Sequence, residues 1–104
     1  MDRDALLKQV KESVLEIEPT AELILYGSRA RGDSRTGSDW DFLVLVEGPV
    51  DDKRVDAIRH RVYEIEWDSG QVLSLIVRGR KEWGSQPLNG TPFHRNVETE
   101  GVVL

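Results

Sequence analysis

Cysteine is absent from this 104-residue chain. Disulfides, thiolate metal centres and cysteine nucleophiles are therefore excluded. Histidine is nearly absent as well, and with only His60 and His94 a histidine-rich zinc centre lacks ligands. No apolar run approaches the roughly 20 residues that cross a bilayer, and the charged, acidic N-terminus has no signal-peptide pattern. The expectation is a cytoplasmic protein without a membrane partner. A formal net charge of −5 works against nonspecific nucleic-acid binding, which depends on Lys and Arg neutralising phosphates, so nucleic acid is not expected as a partner. Two common phosphate motifs are also missing. Asp33 stands where a P-loop containing Gly27 and Gly32 would need lysine, and no dinucleotide-type Gly-x-Gly-x-x-Gly occurs. Without repeats, low-complexity tracts or linkers, residues 1–104 read as one domain, able to bury roughly two-thirds of its unfolded surface.

What is present is a globular pattern, 38% apolar and 32% charged. Leu6, Val10, Val14 and Ile17 recur at helical spacing, which predicts an amphipathic helix over Asp2–Glu18, ended by Pro19. Glu22–Tyr26 is a short apolar run bounded by Gly27 and reads as a first strand, with a helical turn at Arg29–Arg31. Phe42–Val46 is continuously apolar, as expected of a central strand covered on both faces. Asp51 or Asp52 can cap a helix carrying Val55, Ile58, Val62 and Ile65, with a turn at Asp68-Ser69-Gly70. Gln71–Val77 is the third predicted strand, parallel to the second through a right-handed crossover. A short helix at Arg80–Trp83, a loop, a helix at Phe93–Glu100 and a tail, Val102–Leu104, complete the chain. The tail is free to pack on the domain or on another chain. Trp40, Trp67 and Trp83 read as packing residues, His60 as surface, and His94 takes no assignment.

The chemistry concentrates between Gly27 and Val46. A Gly-Ser pair, Gly27-Ser28, closes the first strand; after ten intervening residues Asp39 and Asp41 open the second. Side chains alternate along a strand, so the two carboxylates share one face while Trp40 and Phe42 take the other. Hard cations such as Mg²⁺ bind through one or two carboxylates plus substrate phosphates, so a phosphate-holding loop beside this pair suggests phosphoryl or nucleotidyl transfer. Arg29, Arg31 and Arg35 place positive charge just before the carboxylates, with phosphate contact expected of one or two of them. If strands one and two are antiparallel, Gly27, Asp39 and the start of strand three meet at one edge of the sheet.

Tyr26-Gly27-Ser28-Arg29-Ala30-Arg31-Gly32, followed by Ser38-Asp39-Trp40-Asp41-Phe42-Leu43-Val44, resembles the minimal nucleotidyltransferases of the DNA polymerase β-like superfamily. That resemblance implies an α/β (α+β) nucleotidyltransferase fold. A small, three-stranded mixed sheet with packed helices, in α-β-α-β-α-β order, would fill one domain, 1–104. It implies that Gly27, Ser28, Arg29 and Ser38 bind the nucleotide, that Arg31 and Arg35 are candidate phosphate contacts, and that Asp39 and Asp41 are catalytic and hold Mg²⁺. ATP or another NTP would be the substrate, and its NMP would pass to a hydroxyl of a partner protein or a partner-bound substrate. Relatives of this kind often act with a helical partner, including as antitoxins that modify a HEPN-type ribonuclease. Active members usually add a third carboxylate from the third strand, completing a two-metal site. Here Ser74 occupies that place, and Glu66 and Asp68 are the nearest substitutes in sequence. The alternative is therefore a nucleotide- or partner-binding module of the same fold with weak or no turnover.

Overall fold

The structure, a computed structural model, describes residues 2–104. Helix α1 spans Arg3–Ile17 and is capped by Asp2, whose side chain accepts a hydrogen bond from the Ala5 amide. Strand β1 (Glu22–Tyr26) leads into a single helical turn, α2 (Ser28–Arg31), and a loop brings the chain back as β2 (Trp40–Val46). Asp51, rather than Asp52, caps α3 (Asp52–Ser69) by accepting from the Arg54 amide at 2.8 Å. Helix α3 absorbs Asp68 and Ser69, which were expected in a turn; Gly70, at φ +71°, supplies the left-handed stop. Strand β3 (Leu73–Gly79) is displaced by two residues from its expected span. Helices α4 (Arg80–Trp83) and α5 (Pro92–Glu100) precede a two-residue strand, β4 (Val102–Val103).

The sheet order is β3-β2-β1-β4, with β1 antiparallel to β2, β2 parallel to β3, and β4 antiparallel to β1. The sheet thus has four strands where three were expected. The tail supplies the fourth, pairing Val102 and Val103 with Leu25 and Ile24, and the Leu104 amide donates to the Leu23 carbonyl. Two residues carry too little periodicity to announce a strand, and their pairing is set by a partner some eighty positions away.

Alternation along β2 divides the interior into two layers. Trp40, Phe42, Val44 and Val46 join Leu6, Val10 and Val14 of α1 and Ile58, Val62 and Ile65 of α3. Leu43 and Leu45 point the other way, into a smaller cluster with Ile24, Trp83 and Val97. Both faces of β2 are therefore covered, as its continuous apolar run predicts, and each large side chain so buried contributes about 1.5–3 kcal/mol. Two aromatic expectations diverge. Trp83 is buried, whereas Trp67 is 74% exposed and meets the exposed Tyr63 edge to face on the surface of α3, so it is not a core packing residue. Among the described residues no helix is long and apolar enough to cross a membrane.

Candidate functional site

At the Gly27 end of the sheet the covering of β2 lapses. Asp41 is the one residue of the strand that is not fully buried, and Asp39 lies exposed just before it. In the ladder Asp41 sits opposite Tyr26 on β1 and Ser74 on β3, so three polar residues meet across adjacent strands on the face of α4 and α5. The antiparallel β1–β2 pair brings Gly27 back beside Asp41, as the topology required. Contact there is close: a Cβ on Gly27 would stand 2.5 Å from Asp41 Oδ2. Gly27 also holds φ +76°, a conformation that disfavours any side chain. Glycine at this position lets the turn's backbone lie against the carboxylate.

From Gly27 the chain enters α2; the Ala30 and Arg31 amides both donate to the Gly27 carbonyl, which leaves the Ser28 and Arg29 amides to face an acceptor outside the turn. Arg29 and Arg31 leave this turn in different directions. Arg31 binds Asp33 Oδ2 at 3.1 Å and Glu100 Oε2 at 3.2 Å, and its charge favours the ionised form of Asp41. Arg29 crosses to the other side of β2, where its guanidinium lies 4.4 Å from the Trp40 ring centroid and donates twice to the Ser38 carbonyl. Ser38 closes the loop: its hydroxyl accepts from the Arg35 amide, and its own amide donates to the Arg35 carbonyl. The Arg35 side chain belongs to an exposed stretch of that loop.

Burial raises the Asp41 carboxyl above the ordinary aspartate range, and the Asp39 charge pushes it further; Arg31 offsets part of this. Tyr26 is shifted upward too, first by burial and then by Asp41. A half-buried carboxylate with a second carboxylate as its charged neighbour is a donor set that a hard divalent cation satisfies, so Asp41 and Asp39 fit one Mg²⁺ shared with substrate oxygens. Beyond that pair the donors run out. Among the described residues no group of three or more His, Cys, Asp or Glu side chains is placed to hold a metal. Ser74 does occupy the position beside Asp41. Glu66 is spent elsewhere, accepting the Leu73 amide at 2.9 Å, and Asp68 is exposed on α3.

Sequence reasoning did not single out three of the neighbours. Tyr26 follows from the antiparallel register once the hairpin is drawn. Glu100 carries no such signal, because it reaches Arg31 only after α5 has folded back. The stack of Arg29 on Trp40 was likewise not anticipated. His60 is exposed, as expected; His94 tucks its ring 4.5 Å from that of Trp83. A groove of about 450 Å³ between α3 and β3 is lined by Val62, Tyr63, Leu73 and Leu75, on the opposite face from Asp41. Asp56, Arg59, His60 and Glu66 also line it, whereas Gly27, Ser28, Asp39 and Asp41 do not.

Comparison with known proteins bears on the family and the fold. The nucleotidyltransferase domain family matches residues 7–101. A Methanocaldococcus jannaschii protein, provisionally named a protein adenylyltransferase, is 37% identical over 83 residues, covering 80% of this chain and 76% of its own length. Among solved structures, a toxin-antitoxin crystallised with AMP-PNP has a TM-score of 0.61 at 20% identity, over 90% of this chain and 68% of that one. The spectinomycin adenyltransferase of Enterococcus faecialis, solved with ATP and spectinomycin, has a TM-score of 0.64 at 20% identity, and the match covers 88% of this chain but 39% of that enzyme. These two show a shared fold. The match along nearly the whole chain and the likeness to the archaeal relative establish that this protein belongs to the nucleotidyltransferase domain family.

Proposed function

We propose that the protein is a Mg²⁺-dependent nucleotidyltransferase that moves AMP from ATP to a hydroxyl on a partner protein. The observation that carries this reading is the close approach of Asp41 to the backbone of Gly27, with Asp39 near enough for its charge to act on Asp41. The archaeal relative's name supports adenylyl transfer to protein, and a toxin-antitoxin among the structural neighbours supports a paired partner, for which a helical HEPN-type protein is the candidate.

Asp39 and Asp41 would hold Mg²⁺, which when bound offsets negative charge on the nucleotide phosphates. The Gly27-Ser28 turn offers backbone amides to the terminal phosphates, and Arg31 stands on the carboxylate side where a phosphate could exchange with Asp33 or Glu100. The acceptor oxygen attacks the α-phosphorus, the bond to the β-phosphate oxygen breaks, and pyrophosphate leaves. Positioning and charge compensation supply the catalysis. With Ser74 in place of a third carboxylate, the chain provides no obvious base for the acceptor proton. That favours a slow enzyme, and it is the observation behind a second reading, a nucleotide-binding module without turnover.

Incubation with α-labelled ATP, Mg²⁺ and a lysate of the source cells tests both. Transfer of label to a protein, lost in Asp39→Asn, is the expected result. Mg²⁺-dependent ATP binding without transfer or pyrophosphate release would leave only the second reading.

A further inference from the structure

We infer that Arg29 is a positioning residue that sets the aim of Asp39 by clamping the peptide in front of it. This rests on the reading of Asp39 and Asp41 as the metal-holding pair. Asp39 lies outside β2 and at the end of a seven-residue connection, Gly32–Ser38, so the sheet alone does not fix its backbone. A carboxylate in such a setting would sweep a wide arc. The Ser38 carbonyl, which belongs to the peptide joining Ser38 to Asp39, accepts from Arg29 Nη2 at 2.9 Å and from Nε at 3.3 Å. Two donors on one planar fork restrain both the position and the tilt of that peptide.

The fork is itself held. Its face lies against the Trp40 ring at 4.4 Å, and Trp40 is 5% exposed, with its indole N–H donating to Gln71 Oε1 at 3.1 Å. At the other end of the residue, the Arg29 carbonyl accepts from Arg3 Nη1 at 3.0 Å, tying α2 to the start of α1. A load path therefore runs from the core through Trp40 and Arg29 to the peptide preceding Asp39. Because Trp40 and Asp41 alternate on β2, the clamp works from behind the sheet. Arg29 reaches its carbonyl on the side away from the carboxylates, so its guanidinium acts on Asp39 without touching the nucleotide. Arg31, two residues on, keeps the carboxylate side.

A clamp and a phosphate contact leave different signatures. Mn²⁺ affinity without nucleotide, measured by electron paramagnetic resonance, reports on the carboxylate pair; ATP affinity without metal, measured by calorimetry, reports on phosphate contacts. The expected result for Arg29→Ala is roughly tenfold weaker Mn²⁺ binding, in line with the loss of groups that orient metal ligands, with metal-free ATP binding within about twofold of the parent. Arg29→Lys retains the charge and the apolar stem and so guards against loss of the fold. It is expected to bind Mn²⁺ as weakly as Arg29→Ala, because an ammonium cannot stack on the ring and present two parallel donors to one carbonyl. Full Mn²⁺ binding by either variant, or a loss confined to metal-free ATP binding, would overturn the clamp. Asp39→Asn, run alongside, separates the two levels: parental Mn²⁺ affinity in that variant would remove the metal-holding pair itself, whatever Arg29 does.

Discussion

At one end of the sheet Glu18 accepts two hydrogen bonds from the Arg54 guanidinium, at 2.9 and 2.6 Å; at the other, Asp41 has a second carboxylate, Asp39, as its electrostatic neighbour. The first acid is held below the ordinary glutamate range, chiefly by its hydrogen bond to Arg54, with burial opposing. The second is held above the aspartate range by burial and by Asp39. One arrangement ties the end of α1 to the start of α3 and stabilises the fold. The other keeps negative charge under tension where a cation can relieve it, which is the usual trade between stability and a working site. The contrast can be broken residue by residue.

The largest effect is expected from Asp41→Asn. Removing a metal ligand should lower Mg²⁺-dependent nucleotide turnover or binding by at least about 100-fold, the upper range already seen when mere supporting groups are lost. The same change should raise the melting temperature of the metal-free protein by a few degrees. The sign follows from linkage: a carboxyl raised on folding favours the native state most when protonated, and that contribution is lost as pH rises from the unfolded value through the raised native one. Neutral asparagine avoids the loss. Differential scanning calorimetry at pH 7 checks it.

Gly27→Ala should come next. The new Cβ meets the Asp41 carboxylate and must sit at φ +76°, so a stability loss of about 1–3 kcal/mol is expected together with weakened Mn²⁺ binding. Denaturant unfolding and metal titration measure the two parts. At the opposite end, Arg54→Ala or Glu18→Gln should cost about 1.5 kcal/mol and leave metal affinity unchanged. Their penalty should also depend on pH. Stability from a depressed carboxyl is present above the unfolded glutamate value and lost as pH falls through the lower native value, so the parent and Glu18→Gln should converge in acid. Smallest of all is Trp67→Ala, expected to shift stability by less than about 0.5 kcal/mol because the ring is mostly in water.

Much of this architecture is legible in the chain because its signals are local and redundant. Leu6, Val10 and Val14 point inward from α1 as their spacing requires, and the apolar run Phe42–Val46 is buried on both faces. Once β1 and β2 are antiparallel, the meeting of Gly27 with Asp41 is a matter of register. What escaped depends on distant partners. Val102 and Val103 become a strand only because β1 has a free edge, and Trp67 stays exposed because the face of α3 that carries it points away from the sheet. Arg29 illustrates the limit for side chains. Its place after Gly-Ser suggests a phosphate contact, yet the ring that receives its guanidinium is eleven residues away on the next strand.

Calorimetric titration of ATP into the parent protein and into Asp39→Asn and Asp41→Asn, each with and without Mg²⁺, bears most directly on the acidic pair. Binding by the parent that strengthens at least tenfold with Mg²⁺, and loses that gain in both variants, is the expected result. Equal ATP affinity in all three proteins, indifferent to Mg²⁺, would contradict the assignment of Asp39 and Asp41.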